Sequence, residues 1–360
     1  MPEPTFEVSQ RDWQGSCPHG VPIVSFCQPC TVESQGNQPA WKDINKLRSQ
    51  SKFTRSNNDS PSCTLDFEGK KYKIEHVESG ESPTLSEVQE LFIKTFGEEE
   101  VDPEEILRQA VTGVEFGVPS EVKYKVFAVR DPEGKVVCTV AGGNLDLRDE
   151  SGTPTGETML MIAYAVTDKD VKQSGLAREA YISALMDCAA EAEKTGKKFA
   201  MAAGECTYTS EKFWNKLGWK RPYIEGGDKK TYTELKYVQP ALDFVKKTGL
   251  PKKGAGEVAE HLMVRPMDGK TPSKERVMST VNAFYKWCNR WGEEAFSSKK
   301  AHRTNQEYVD GIANTFKKEL DAGGQLIFLD QTNREKAKVR GVKIKEYKEA
   351  EHGDAGKEDF

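Results

Sequence analysis

A chain of 360 residues with 57 Asp and Glu against 52 Lys and Arg carries a net charge of -5, which excludes a general polycationic coat for nucleic acid while leaving room for a local basic patch. At 36% hydrophobic and 30% charged it can bury a core yet keeps much solvated sequence, and its length admits two domains or one large domain with extensions. No apolar run approaches the roughly 20 residues of a membrane span, and the N-terminus shows no signal-peptide pattern, so a soluble, cytoplasmic protein without a membrane partner is expected.

Residues 1–35 read as a small metal segment. Cys17-Pro18-His19 is followed by Cys27-Gln28-Pro29-Cys30, so Cys17, His19, Cys27 and Cys30 offer four soft or borderline ligands to one tetrahedral ion. Four protein ligands leave no open coordination position, and the expected role is a structural zinc that folds a stretch too short to bury its own core. Such a knuckle can also meet a protein or nucleic-acid partner. The remaining cysteines are scattered and read as reduced thiols, with Cys138 and Cys188 in apolar patterns as buried small hydrophobes.

Residues 36–66 turn to Ser, Asn, Gln and Lys, and read as a flexible linker made mildly basic by Lys46, Arg48, Lys52 and Arg55. A mixed α/β domain is expected over 67–268. It starts with alternation at Lys71–Val77, a strand, and a helix with Thr84 and Glu87 as a capping box and Val88, Leu91, Phe92 and Phe96 on its apolar stripe. Pro103 opens a second short helix. Lys123–Arg130 and Lys135–Ala141 flank Asp131-Pro132-Glu133-Gly134 as a hairpin, and a polar excursion over 146–156 leads to the central run Met159–Val166.

After that run come a polar loop, Ser174-Gly175-Leu176-Ala177, an amphipathic helix to Thr195 and a second apolar run, Phe199–Ala203. This is a strand, a glycine-bearing turn, a helix and a parallel strand, within a sheet whose other neighbours are antiparallel. Strands at Thr233–Val238 and His261–Pro266 complete the sheet. A helical extension follows over 269–332, with Val277, Val281, Phe284, Cys288 and Trp291 on one stripe, and then a charged, frayed tail over 333–360.

The unpaired amides and partial positive charge of a helix N-terminus suit an anion, and the turn at Gly175 lets the backbone approach one closely. In its order of motifs the segment from Glu157 to Trp219 resembles the GNAT superfamily of acetyl-CoA-dependent N-acyltransferases. Lys172-Gln173-Ser174-Gly175-Leu176-Ala177 fills that family's Arg/Gln-x-x-Gly-x-Gly/Ala signature, with lysine where arginine or glutamine is usual. Phe213-Trp214-Asn215-Lys216-Leu217-Gly218-Trp219 matches its later Leu-Gly-aromatic signature.

The resemblance implies a GNAT-like acyltransferase fold, acetyl-CoA or another acyl-CoA as co-substrate, and a small-molecule or protein amine as acceptor. It implies that the backbone of Ala165 and Val166, where the central strand splays from Met201-Ala202, pairs with the pantetheine arm. The amides from Gln173 to Ala177, with Lys172 adding charge, would hold the pyrophosphate. A carboxylate base is needed because only a neutral amine attacks the thioester, and Glu205 and Glu157 are the candidates. Trp214 stands where many members carry the tyrosine that protonates the departing thiolate. Tryptophan cannot serve there, which leaves Tyr208, Tyr164, Tyr223 or no acid at all. Two other readings stay open: a catalytically weak GNAT-like interaction protein working through its knuckle, and a different CoA- or nucleotide-binding transferase.

Overall fold

The computed structural model describes residues 39–347, apart from 58–59, 99–100, 116–117, 121, 172–173, 208–209, 242–243, 254–257 and 290. The expected ligands Cys17, His19, Cys27 and Cys30 lie outside the described residues. Among the described residues no cluster of His, Cys, Asp or Glu is placed to hold a metal, and no helix is long and apolar enough to cross a membrane.

Helix α1 (Pro39–Ser49) occupies sequence expected as linker. Its few apolar residues, Trp41, Ile44 and Leu47, fall at helical spacing and are all buried, so their placement overrides a polar composition. Strands β1 (Thr54–Arg55), β2 (Cys63–Phe67) and β3 (Lys70–Val77) then form an antiparallel meander. Helices α2 (Thr84–Phe96) and α3 (Glu104–Thr112) follow, with a small ribbon of β4 (Val114–Glu115) and β5 (Val118–Pro119). The capping box expected at Thr84 and Glu87 does not form. Tertiary partners take both side chains: Thr84 donates to Glu75, and Glu87 accepts twice from Arg130 at 2.9 Å.

The middle of the chain supplies β6 (Tyr124–Arg130), β7 (Val136–Arg148), β8 (Pro154–Thr167), α4 (Leu176–Lys194), β9 (Lys198–Cys206) and α5 (Glu211–Lys216). Much of the expected excursion over 146–156 is strand, because β7 and β8 extend their pairing as far as Arg148↔Pro154. Next come β10 (Arg221–Glu225), β11 (Thr231–Glu234), β12 (Tyr237–Gln239) and β13 (Val258–Pro266). The last part holds α6 (Lys274–Cys288), α7 (Lys299–Asp321), β14 (Gln325–Leu329), α8 (Gln331–Val339) and β15 (Lys343–Lys345).

Nine strands form one mixed sheet in the order β1-β2-β3-β6-β7-β8-β9-β13-β12. Only its β8–β9 pair is parallel, as a strand–helix–strand crossover requires. The sheet separates two cores. Helices α2, α3, α6 and α7 contribute to one, through residues such as Phe92, Leu107, Phe284 and Phe316, while α1, α4 and α5 contribute Ile44, Tyr181 and Trp214 to the other.

A second sheet, β14-β10-β11-β15, is built partly from the stretch expected to fray. The run Leu326–Leu329 pairs with β10, and buried charge anchors helix α8 behind it: Arg334 Nη2 lies 2.7 Å from Glu211 Oε2, an oxygen that also accepts from Arg221. An ion pair removed from water on both sides needs close partners, and Glu211 has the guanidinium groups of both Arg334 and Arg221 against it.

Candidate active site

Strands β8 and β9 pair in parallel from Glu157↔Lys198 to Ile162↔Gly204 and then part. Beyond that point β8 runs on to Thr167 against β7, while β9 runs on against β13 through Glu205↔Leu262 and Cys206↔His261. Met201 and Ala202 are still paired, with Met159 and Leu160, so the parting lies further along β9 than the sequence suggested. Its cause is a bulge. Ile162 faces Gly142 and Tyr164 faces Ala141, leaving Ala163 as the extra residue, exposed directly after the buried run Thr158–Ile162. Gly142 makes the bulge feasible, because a Cβ there would sit 1.9 Å from the Met161 carbonyl oxygen. Past the bulge β8 and β9 are no longer paired, which leaves an opening between them with the backbone of residues 163–167 on the β8 side.

The chain leaves the parted end of β8 at Thr167 and enters α4 at Leu176, so the N-terminus of α4 follows that end of the strand. Gly175 holds the cap position with φ 88°, a left-handed conformation that disfavours any side chain. Ser174 and Ala177 are partly exposed beside it and Leu176 is buried; Lys172 and Gln173 lie outside the described residues. The segment after α1 wraps this first turn. Arg178 donates to the carbonyls of Leu47 and Gln50, at 2.5 and 3.1 Å, and Ser51 donates to Glu179 at 2.6 Å. Arg55 reaches Ser183 at 2.9 Å and Glu179 at 3.3 Å. A Cβ on Gly175 would meet Lys52 Cε and Phe53 Cε2 at 3.5 Å, so one flank of the turn is covered by this belt. Lys52, whose ammonium lies 4.3 Å from the Phe67 ring centroid, brings a positive charge to the turn.

Glu205 sits on β9 just past the parting. Tyr237 donates its hydroxyl to the Glu205 carboxylate, and the Tyr237 ring stacks on Tyr285 of α6, at 5.5 Å and 8°. Burial pushes the Glu205 carboxyl up to about 7; the Tyr237 hydrogen bond opposes this and the charge of Glu260 adds to it. Burial, and the Glu205 charge after it, push the Tyr237 phenol well above its ordinary value. Tyr164, past the bulge on β8, stacks on Phe92 of α2 at 4.5 Å.

Glu157 is placed elsewhere. It begins the parallel register, at the end opposite the parting, where Arg276 binds it at 2.8 and 3.2 Å and Lys198 at 2.9 Å. Arg276 and Lys198 also share Asp268. Burial alone would raise the Glu157 carboxyl, but these two cations outweigh it and the net direction is downward. Glu205 and Glu157 are therefore not brought together.

Tyr208 lies outside the described residues. Trp214 is buried in the core on the α4 side, 4.5 Å from Trp219 and 5.8 Å from Tyr181, whose hydroxyl accepts from the Trp219 indole at 2.9 Å. The motif around Trp214 thus serves packing. Cys206 is buried, and burial pushes its thiol well above the ordinary range, which suits an inert side chain. Nothing in the sequence points to Tyr237 as the partner of Glu205. The bulge has one local sign, the pair Gly142-Gly143.

No protein-family model and no curated protein matches the chain. Among solved structures, the ribosomal-protein-S18-alanine N-acetyltransferase from Escherichia coli aligns at 14% identity over 56% of this chain and 97% of its own, with a TM-score of 0.32. An acetyltransferase of the GNAT family from Staphylococcus aureus Mu50 aligns at 13% identity over 54% and 99%, with a TM-score of 0.31. An aminoglycoside 6'-N-acetyltransferase complexed with coenzyme A aligns at 9% identity over 55% and 99%, with a TM-score of 0.33. At scores this low the likeness carries no argument, and the site is read from its own geometry.

Proposed function

We propose that the chain is an N-acyltransferase that moves an acetyl or related acyl group from its CoA thioester to a primary amine. The observation that carries this reading is the parting of β8 and β9 at a bulge, with a helix N-terminus following the parted end of β8 and a proton-accepting carboxylate on β9 just past the parting. An extended amide-bearing arm can pair with the backbone at Ala165 and Val166 as an added strand. The amides at Ser174 to Ala177 offer the pyrophosphate a positive end, supplemented by Lys52. Lys172 and Gln173 extend this proposed cradle.

Glu205 is the proposed base. Its carboxylate takes a proton from the acceptor ammonium, and the freed nitrogen lone pair attacks the thioester carbonyl carbon. As the tetrahedral adduct collapses, the C–S bond breaks and the electron pair leaves with sulfur, which ends as the CoA thiol after taking a proton. A base whose carboxyl titrates near 7 is matched to this work at neutral pH. Tyr237 orients the carboxylate, Tyr208 remains a proposed source of the thiol proton, and Glu157 is assigned a structural role. Cys17, His19, Cys27 and Cys30 are proposed to bind one structural zinc, checked by metal content after Cys27→Ala and Cys30→Ala.

The test is calorimetric titration with acetyl-CoA of the wild type and of Ala177→Asp. A carboxylate in the first turn of α4 favours the helix yet repels a pyrophosphate, so the fold is kept while the cradle is spoiled. Micromolar binding that the variant loses supports the reading. Absence of binding by any acyl-CoA overturns it and leaves the interaction protein in its place.

A further inference from the structure

A groove of about 410 Å³ lies away from the opening between β8 and β9. It is lined by Lys46 of α1 and Gln50 just after that helix, and by Lys216 at the end of α5 and Gly218 beyond it. Arg265 and Pro266 of β13 and the segment with Lys270 complete its lining. On β9 these β13 residues face Ala202 and Met201, the part still paired with β8, so the groove and Glu205 belong to different ends of the strand.

Lys46, Lys216, Lys220, Lys270 and Arg265 all line this concavity, against Asp43 as its single acidic lining residue. Asp43 is already taken by Arg265. The four lysines come from three separate stretches of chain, Lys216 and Lys220 sharing one, and among the described residues none of their ammonium groups has an ion-pair or hydrogen-bond partner. In a chain of net charge -5, four unneutralised cations on one concave surface set up a local field that draws anions. Apolar surface among them is limited: Leu217 and Val264 are buried beneath, and Phe328 of β14 is the partly exposed aromatic side chain of the lining. The volume falls in the range of small-ligand sites, about 300–1,000 Å³, well below what a folded partner covers.

We infer that this groove binds a nucleotide, its phosphates held by Lys46, Lys216, Lys220 and Lys270 and its base laid against Phe328. The nucleotide is either free or one unit of a single-stranded nucleic acid. The inference does not depend on acyl transfer: its four lysines lie outside the opening between β8 and β9, and the two share only Leu47 and Gln50, which line the groove and accept from Arg178 in the first turn of α4.

The test uses the full-length chain and two probes. ATP is titrated by calorimetry in EDTA at low and moderate salt, and a fluorescein-labelled oligouridylate is titrated by anisotropy. Saturable binding that weakens with salt is expected, reduced at least about ten-fold by Lys46→Glu with Lys220→Glu, and likewise by Lys216→Glu with Lys270→Glu. Ala177→Asp should leave it unchanged. Tighter binding of the oligomer than of ATP, with the same dependence on the lysines, assigns the site to single-stranded nucleic acid; the reverse order assigns it to a free nucleotide. Thermal unfolding of the doubly substituted proteins checks that they fold. The inference is overturned if neither probe saturates, if binding survives both charge reversals in folded protein, or if Ala177→Asp abolishes it.

Discussion

The two ends of the β8–β9 pair hold the same kind of residue in opposite circumstances. At the paired end, Glu157 meets Arg276 and Lys198, and its charge is neutralised by contacts that also hold Asp268. At the parted end, Glu205 meets a phenol hydroxyl, has Glu260 as its electrostatic neighbour, and is pushed up to about 7. A carboxylate surrounded by cations is fixed in its charged form and works as a clamp. A carboxylate desolvated beside a neutral donor keeps its proton within reach at neutral pH and can exchange it. Position at a strand end tells the two apart poorly, and the partner side chains tell them apart well.

The comparison is broken most sharply by exchanging the charges. Glu205→Gln should lower release of CoA thiol from acetyl-CoA, measured with a panel of primary amines, by about 10²–10⁴-fold, the usual contribution of a positioned base. Acetyl-CoA affinity should stay within about two-fold, since the cradle is untouched. Glu157→Gln should do the reverse, sparing turnover per folded molecule while lowering stability by about 1–3 kcal/mol, because Arg276 and Lys198 lose a shared partner. Urea unfolding and turnover measured on the same samples give both numbers. A loss of turnover in Glu157→Gln without loss of stability would reverse the two assignments.

The same pair predicts opposite pH trends in stability. The folded carboxyl of Glu205 titrates above its ordinary value, so the folded state holds that proton more tightly than the unfolded state. Its contribution is therefore lost as pH rises through about 7. Glu157 is depressed, so its contribution is present above the ordinary carboxylate range and is lost as pH falls through it. Unfolding free energies measured between about pH 2 and pH 8 should lose in Glu205→Gln their decline as pH rises toward about 7, and in Glu157→Gln part of their decline as pH falls below the ordinary carboxylate range.

The features legible in the sequence are the local ones. The apolar run at β8, the glycine at the start of α4 and the second run at β9 each declare themselves within a few residues, and the mixed α/β sheet follows from their order. The parting is not legible, since it depends on how β7 registers against β8; Ala163 looks like any other small residue in its run. Helix α1 is hidden by polar composition because three well-spaced apolar side chains are enough once α4 and β13 provide a surface. Thr84 and Glu87 have the spacing of a cap, yet Glu75 and Arg130 claim them. Tyr237 is 32 residues from Glu205, and no sequence spacing joins them.

The smallest expected effect separates two roles for Tyr237. Its hydrogen bond pulls the Glu205 carboxyl downward against burial, so Tyr237→Phe should let that carboxyl rise further. As the reaction needs the carboxylate, the acid limb of the pH–rate profile should move to higher pH and turnover at neutral pH should fall a few-fold, with the alkaline plateau nearly unchanged. A tyrosine that instead delivers the proton to the departing thiolate predicts a lower plateau at every pH and no displacement of the acid limb. Phenylalanine keeps the stacking surface against Tyr285, so packing is largely preserved and the two profiles can be compared directly. A displaced limb would leave Glu205 as the base and Tyr237 as the residue that positions it; a lowered plateau would make Tyr237 the acid that Trp214, buried in the opposite core, cannot be.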